Sequence, residues 1–148
     1  MHYEYNRRKE KNILTTDELE NMHLASFKPV LEIAFLALKT DYTASLVSDL
    51  AHIQSSVYSI QDLEQDLKKG IINIPLEIIN SFEYPISEYI KNTELLNKEV
   101  NFLDWRKSII LKSRKRALHL LGLSYPLKTK KIVTALLNPI ITDTAYTP

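Results

Sequence analysis

Asp62 and Asp66 stand four residues apart in the run Ser59-Ile-Gln-Asp-Leu-Glu-Gln-Asp-Leu-Lys-Lys-Gly-Ile-Ile-Asn-Ile-Pro-Leu-Glu77. On a helix, residues at this spacing lie one above the other on the same face. Two carboxylates so placed can share a divalent cation through oxygen ligands. Mg2+ held by one or two carboxylates is a common way to present substrate phosphates. The plainer reading is that both acids sit on a solvated face, where charge usually resides. Lys68 and Lys69 follow directly, and they suit the negative end of the helix that carries the acids.

The elements around this pair must be helical. Two glycines in 148 residues leave too few turns for an all-β fold. Leu46, Leu50, Ile53, Val57, Ile60, Leu63 and Leu67 recur at helical spacing and predict one long helix over 42–69, with Gly70 as its stop. A second stripe, Ser48, His52, Ser55, Ser59, Asp62 and Asp66, runs beside it. It is either an ordinary polar face or the lining of a site. Upstream, Thr15-x-x-Glu18 is a capping box that opens a short helix to about His23. Pro29 suits the first turn of a separate helix over 30–38. That helix is apolar nearly all round, which predicts burial on most sides. Downstream, Asn73 is placed to cap a helix begun at Pro75, and Pro85 or Ser87 starts another. Leu103, Ile110, Leu118 and Leu121 predict the inner stripe of a helix over 103–121, and a last helix over 128–138 should end at Pro139. The organisation expected is a flexible arm over 1–14, a single all-α domain over 15–141 and a flexible tail over 142–148.

Several chemistries find no support. Two glycines cannot build a Walker or dinucleotide-binding loop, and no paired histidine spacing suggests zinc. There is no cysteine, so disulfides and thiolate metal sites are excluded. No apolar run is long enough to span a bilayer, and the first residues lack a signal-peptide core. A cytoplasmic location, with room for membrane-peripheral contact, is the expectation.

The run Asp62-Leu-Glu-Gln-Asp66-Leu-Lys-Lys-Gly70-Ile-Ile-Asn-Ile-Pro75, followed by Phe82-Glu-Tyr-Pro-Ile-Ser-Glu-Tyr-Ile, resembles the second aspartate-rich segment of the squalene/phytoene synthase family and the helix after it. The resemblance covers about Leu46 to Ile141. It implies a helical bundle like the C-terminal half of an isoprenoid synthase. It also implies that Asp62 and Asp66 ligate Mg2+, that Lys69 contacts the diphosphate of a farnesyl or geranylgeranyl substrate, and that the reaction class is head-to-head prenyl coupling. The departures are specific. Ser55, Tyr58 and Gln61 stand where the family usually has Gln, Asn and Arg, and Ile71 and Asn73 replace an Arg and a Tyr. No D-x-x-x-D precedes this segment, so the family's first aspartate-rich motif is absent. The chain therefore reads as a fragment or a degenerate relative. It either needs a partner chain carrying the first motif, or is a non-catalytic helical binding or assembly protein that kept the scaffold and lost the site.

A basic cluster, Arg106, Lys107, Lys112, Arg114, Lys115 and Arg116, marks the helix over 103–121. A solvated face and a contact with anionic lipid headgroups are both open. The face lacks the interleaved aromatics of single-strand binders, so a nucleic-acid partner is not expected. The basic run Arg7-Arg-Lys9 with Lys11 reads as part of the solvated arm.

Overall fold

The structure, a computed structural model, describes residues 13–142. The segments expected to be flexible, 1–14 and 142–148, lie almost wholly outside them. The protein is all-α: the described residues form helices joined by turns, with no strand. In chain order they are α1 (Thr16–Ala37), α2 (Ala44–Gln61), α3 (Leu63–Lys68), α4 (Leu76–Ile79), α5 (Ile86–Lys91), a 3-10 helix (Thr93–Lys98), α6 (Val100–Gly122) and α7 (Leu127–Thr142).

Helix α1 starts where the capping box predicts. The Thr15 N–H donates to Glu18 Oε2 at 2.8 Å, and the Glu18 N–H returns to Thr15 Oγ1 at 3.4 Å. It does not end near His23. The helix continues through Pro29 to Ala37, so two expected helices are one. Pro29 removes one N–H from the ladder but does not break the chain. The burial of Leu31 and Phe35, one turn apart beyond it, rewards continuation. Lys39 then closes the helix with a positive φ of 50°, its N–H on the carbonyl of Leu36.

The long helix expected over 42–69 is interrupted once. Helix α2 ends at Gln61, Asp62 takes φ −88° and ψ −2°, and α3 follows. Hydrogen bonding carries across the bend: Asp62 N–H donates to Tyr58 at 3.0 Å and Asp66 N–H to Asp62 at 2.8 Å. Gly70 ends α3 with φ +76°, as a helix stop requires. At the other end of the chain, α7 runs through Pro139 instead of stopping there. Leu137 and Ile140, either side of that proline, are both buried. Burial again outweighs the missing N–H.

The chain separates into two compact units. One comprises Met1–Met22 and Tyr58–Ser108, the other His23–Val57 and Ile109–Pro148. Helices α1, α2 and α6 contribute residues to both. The first unit's core includes Leu63, Leu67, Ile72, Ile74, Tyr89, Leu96 and Phe102. Within it, α3, α5 and the 3-10 helix pack on one another. Phe82, Tyr89 and Phe102 form a chain of ring contacts, with centroids 4.6 and 6.4 Å apart. The second unit's core includes Phe35, Val47, Leu50, Ile110, Ala117, Leu120, Val133 and Leu137. There Gln54, buried, donates Nε2–H to the carbonyl of Leu136 at 2.7 Å, and Thr129 Oγ1 donates to the carbonyl of Asp41 at 2.6 Å. These bonds satisfy polar groups that would otherwise be costly inside a core.

Candidate functional site

The first unit carries the acidic pair. Asp62 sits at the bend before α3, exposed, in the N-cap position, yet its side chain makes no cap hydrogen bond. Asp66 lies one turn further on α3 and is half-buried. Its Oδ2 accepts a hydrogen bond of 2.8 Å from Nδ2 of Asn73. Its carbonyl accepts the N–H groups of Lys69, at 2.9 Å, and Ile71, at 2.8 Å. Asp66 thus builds the reversal that carries the chain from α3 past Gly70. Asn73, buried, does not cap α4 as expected: the N-cap there is Pro75, without a side-chain bond. The reason is geometric. The turn at Gly70 brings residue 73 back over the last turn of α3, where a carboxylate offers a charged and stronger acceptor.

Lys69 is the C-cap of α3 and exposed. The backbone bond from the Asp66 N–H to the Asp62 carbonyl keeps the two acids one turn apart across the bend, with Lys69 at the end of α3. Among the described residues no group of three or more His, Cys, Asp and Glu converges in a way that could hold a metal ion. The pair by itself is a two-carboxylate donor set, with one member already hydrogen-bonded. It would fit Mg2+ only where phosphate oxygens and water supply the remaining ligands. Of the neighbouring stripe, Ser55 is buried with its hydroxyl on the carbonyl of His52 at 3.2 Å, and Ser48, His52 and Ser59 are half-buried.

Two polar clusters in the same unit were not legible as sites. Glu77 on α4 accepts hydrogen bonds from the N–H of Thr16, 3.1 Å, and from Thr16 Oγ1, 3.2 Å, so it caps α1 from 61 residues away. The Leu76 N–H donates to the carbonyl of Leu14 at 2.8 Å. The Tyr89 hydroxyl donates to Glu99 Oε1, and the same oxygen accepts the Glu83 N–H at 3.2 Å. Burial, then the Glu99 carboxylate, pushes the Tyr89 phenol above its ordinary range.

The basic cluster divides. Arg114 Nε donates to the carbonyl of Ile140 at 3.3 Å, and Arg116 pairs with Asp49 at 2.9 Å, both within the second unit. Arg106 is half-buried, while Lys107, Lys112 and Lys115 are exposed. The inner stripe of α6 is Phe102, Ile110, Ser113, Ala117 and Leu120. Leu103 and Leu118, expected inside, are exposed instead. The helix over 30–38, expected buried on most sides, likewise turns only Leu31 and Phe35 inward. Val30 (64% exposed), Ile33 (66%) and Leu36 (63%) face out.

No helix among the described residues is long and apolar enough to cross a membrane. Comparison with protein families, with curated proteins and with solved structures finds no match for this chain.

Proposed function

We propose that this chain is a non-catalytic helical assembly protein whose association surface is the outer face of α1, and that its acidic pair serves the scaffold. The observation that carries this reading is the trio Val30, Ile33 and Leu36, each about two-thirds exposed on one helical face. Pro29, Ala37 and Leu38 extend it, all exposed. A contiguous apolar face of this kind marks an interaction site far more often than a scatter of single residues does. No charge stands within the trio; Lys28, Glu32 and Lys39 lie around it, so a second copy finds charges of both signs at its margins. Two such faces reach the small end of specific interfaces, about 1,000 Å2 in total. The association is therefore weak and between copies of this chain. Asp66 supports the scaffold half of the reading, since its carboxylate holds Asn73 and its carbonyl holds the turn.

Sedimentation velocity from low to high micromolar protein tests it. A concentration-dependent dimer that Ile33→Glu abolishes, with the helical content unchanged, is the expected result. A monomer at every concentration would sink it.

The one-turn spacing of Asp62 and Asp66 favours a second reading, Mg2+-dependent binding of a prenyl diphosphate. Bound Mg2+ would neutralise the diphosphate and make pyrophosphate a better leaving group. Asp62 and Asp66 would orient that end, with Lys69 beside it, and a partner chain carrying the missing acidic motif would complete a prenyltransferase. Calorimetric titration of a non-hydrolysable farnesyl diphosphate analogue, with and without Mg2+, separates the two readings. Mg2+-dependent binding lost in Asp62→Ala/Asp66→Ala favours the second. No binding near 1 mM, a free energy of only about −4 kcal/mol, leaves the first.

A further inference from the structure

Between Asp104 and Asp143 the sequence holds nine Lys and Arg and no acid. With a net charge of only +1 for the whole chain, this is a strong local imbalance. The described part of it in the second unit is the end of α6, the connection 123–126 and α7. Leu111, Lys115, Leu118 and Gly122 follow at helical spacing on the face of α6 opposite its buried stripe, and all are exposed. Lys112 and His119 flank them, also exposed. The chain then passes through Leu123 to Leu127, which is 72% exposed, and to Lys128, Lys130 and Lys131, exposed in the first five residues of α7.

We infer that this surface is a peripheral docking face for an anionic lipid bilayer. Its lysines are complementary to phosphate-bearing headgroups, and residues 105–142 contain no acid; of the acids from other elements, Asp49 is already paired with Arg116, and Asp41 stands beside the start of α7, where its carbonyl accepts from Thr129. The leucines decide between polyanions. A duplex or single strand offers nothing for Leu111, Leu118 and Leu127, and the exposed residues of the face include no Phe, Tyr or Trp on which bases could stack. A bilayer interface takes such side chains below the headgroups while the lysines stay at the phosphate level. The inference does not depend on α1 self-association or on the acidic pair.

Vesicle co-sedimentation with full-length protein tests it, comparing phosphatidylcholine vesicles with vesicles containing phosphatidylserine. Binding is expected only to the anionic vesicles, and it should weaken as salt rises. Each of Lys112→Gln, Lys115→Gln, Lys128→Gln and Lys131→Gln should weaken it about fivefold, the effect of removing one juxtamembrane charge. Leu118→Gln/Leu127→Gln leaves the charge intact and should weaken it by roughly tenfold, since two partly inserted side chains are lost. All six side chains are exposed, and circular dichroism would verify that the fold survives. Three results overturn the inference: equal binding to both vesicle types, leucine variants that bind as wild type does, or a short duplex RNA bound more tightly than the anionic vesicles.

Discussion

The carboxylate of Asp66 is occupied by the side-chain amide of Asn73, and this one contact separates two acids that look equivalent in sequence. Removing Asn73 leaves a half-buried carboxylate without that donor and a gap in a buried position. Asn73→Ala should therefore lower the stability of the fold by about 1–3 kcal/mol, read from urea denaturation midpoints. Asp62→Ala removes an exposed side chain that makes no cap bond, and should change stability by no more than about 0.5 kcal/mol. A loss at Asp62 as large as that at Asn73 would show that the bend depends on the acid. The spacing of the pair was legible in the sequence, because it follows from helical periodicity alone. The partner of Asp66 was not. It depends on the positive φ of Gly70 folding residue 73 back onto α3, and no local pattern states where a chain lands after a turn.

At the level of the element, Pro29 and Pro139 show where local rules yield. Both sit inside continuous helices, although each removes a backbone donor. The flanking residues explain why: Leu31 and Phe35 in one case, Leu137 and Ile140 in the other, all buried. Proline's preference is a few kcal/mol, comparable to the burial of two large side chains. Pro29→Ala should thus stabilise the protein by about 1–3 kcal/mol, seen as a rise in thermal midpoint, because it restores the N–H without touching the buried face. The capping box at Thr15 and the stop at Gly70 were legible because each is settled within four residues of chain. The outward leucines of α6 and the outward face of α1 were not. Periodicity counts apolar residues, and these helices carry more of them than their cores take in.

The whole molecule has a tyrosine with a raised pKa in each unit. Tyr89 is raised by burial and by Glu99, Tyr125 by burial and by the nearby Asp49. Both phenols hold their proton more tightly in the folded chain than in the unfolded one. Between the ordinary value near 10 and the raised values, the native state binds the additional protons. Their contribution to stability is complete below pH 10 and declines as the pH rises further. Denaturation midpoints followed from pH 8 to 11 should be level at first and then fall, and Tyr89→Phe should flatten part of the fall. A midpoint that rises over this interval would contradict the assignment. The all-α character at this scale was plain from two glycines and the helical spacing of the apolar residues, whereas the division into two units was not, since it depends on contacts far apart in sequence.

The reciprocal contact between the starts of α1 and α4 reaches into time as well as energy. Thr16 offers its first-turn amide to Glu77, and Leu76 offers its own to Leu14, so each helix start is sealed by the other segment. First-turn amides ordinarily lack a partner within their helix. They exchange with solvent deuterium within moments of dilution. Here the amides of Thr16 and Leu76 should be slow, and slow together, because neither can open without releasing the other. The two segments, separated by most of the first half of the chain, would register in an exchange experiment as one opening event.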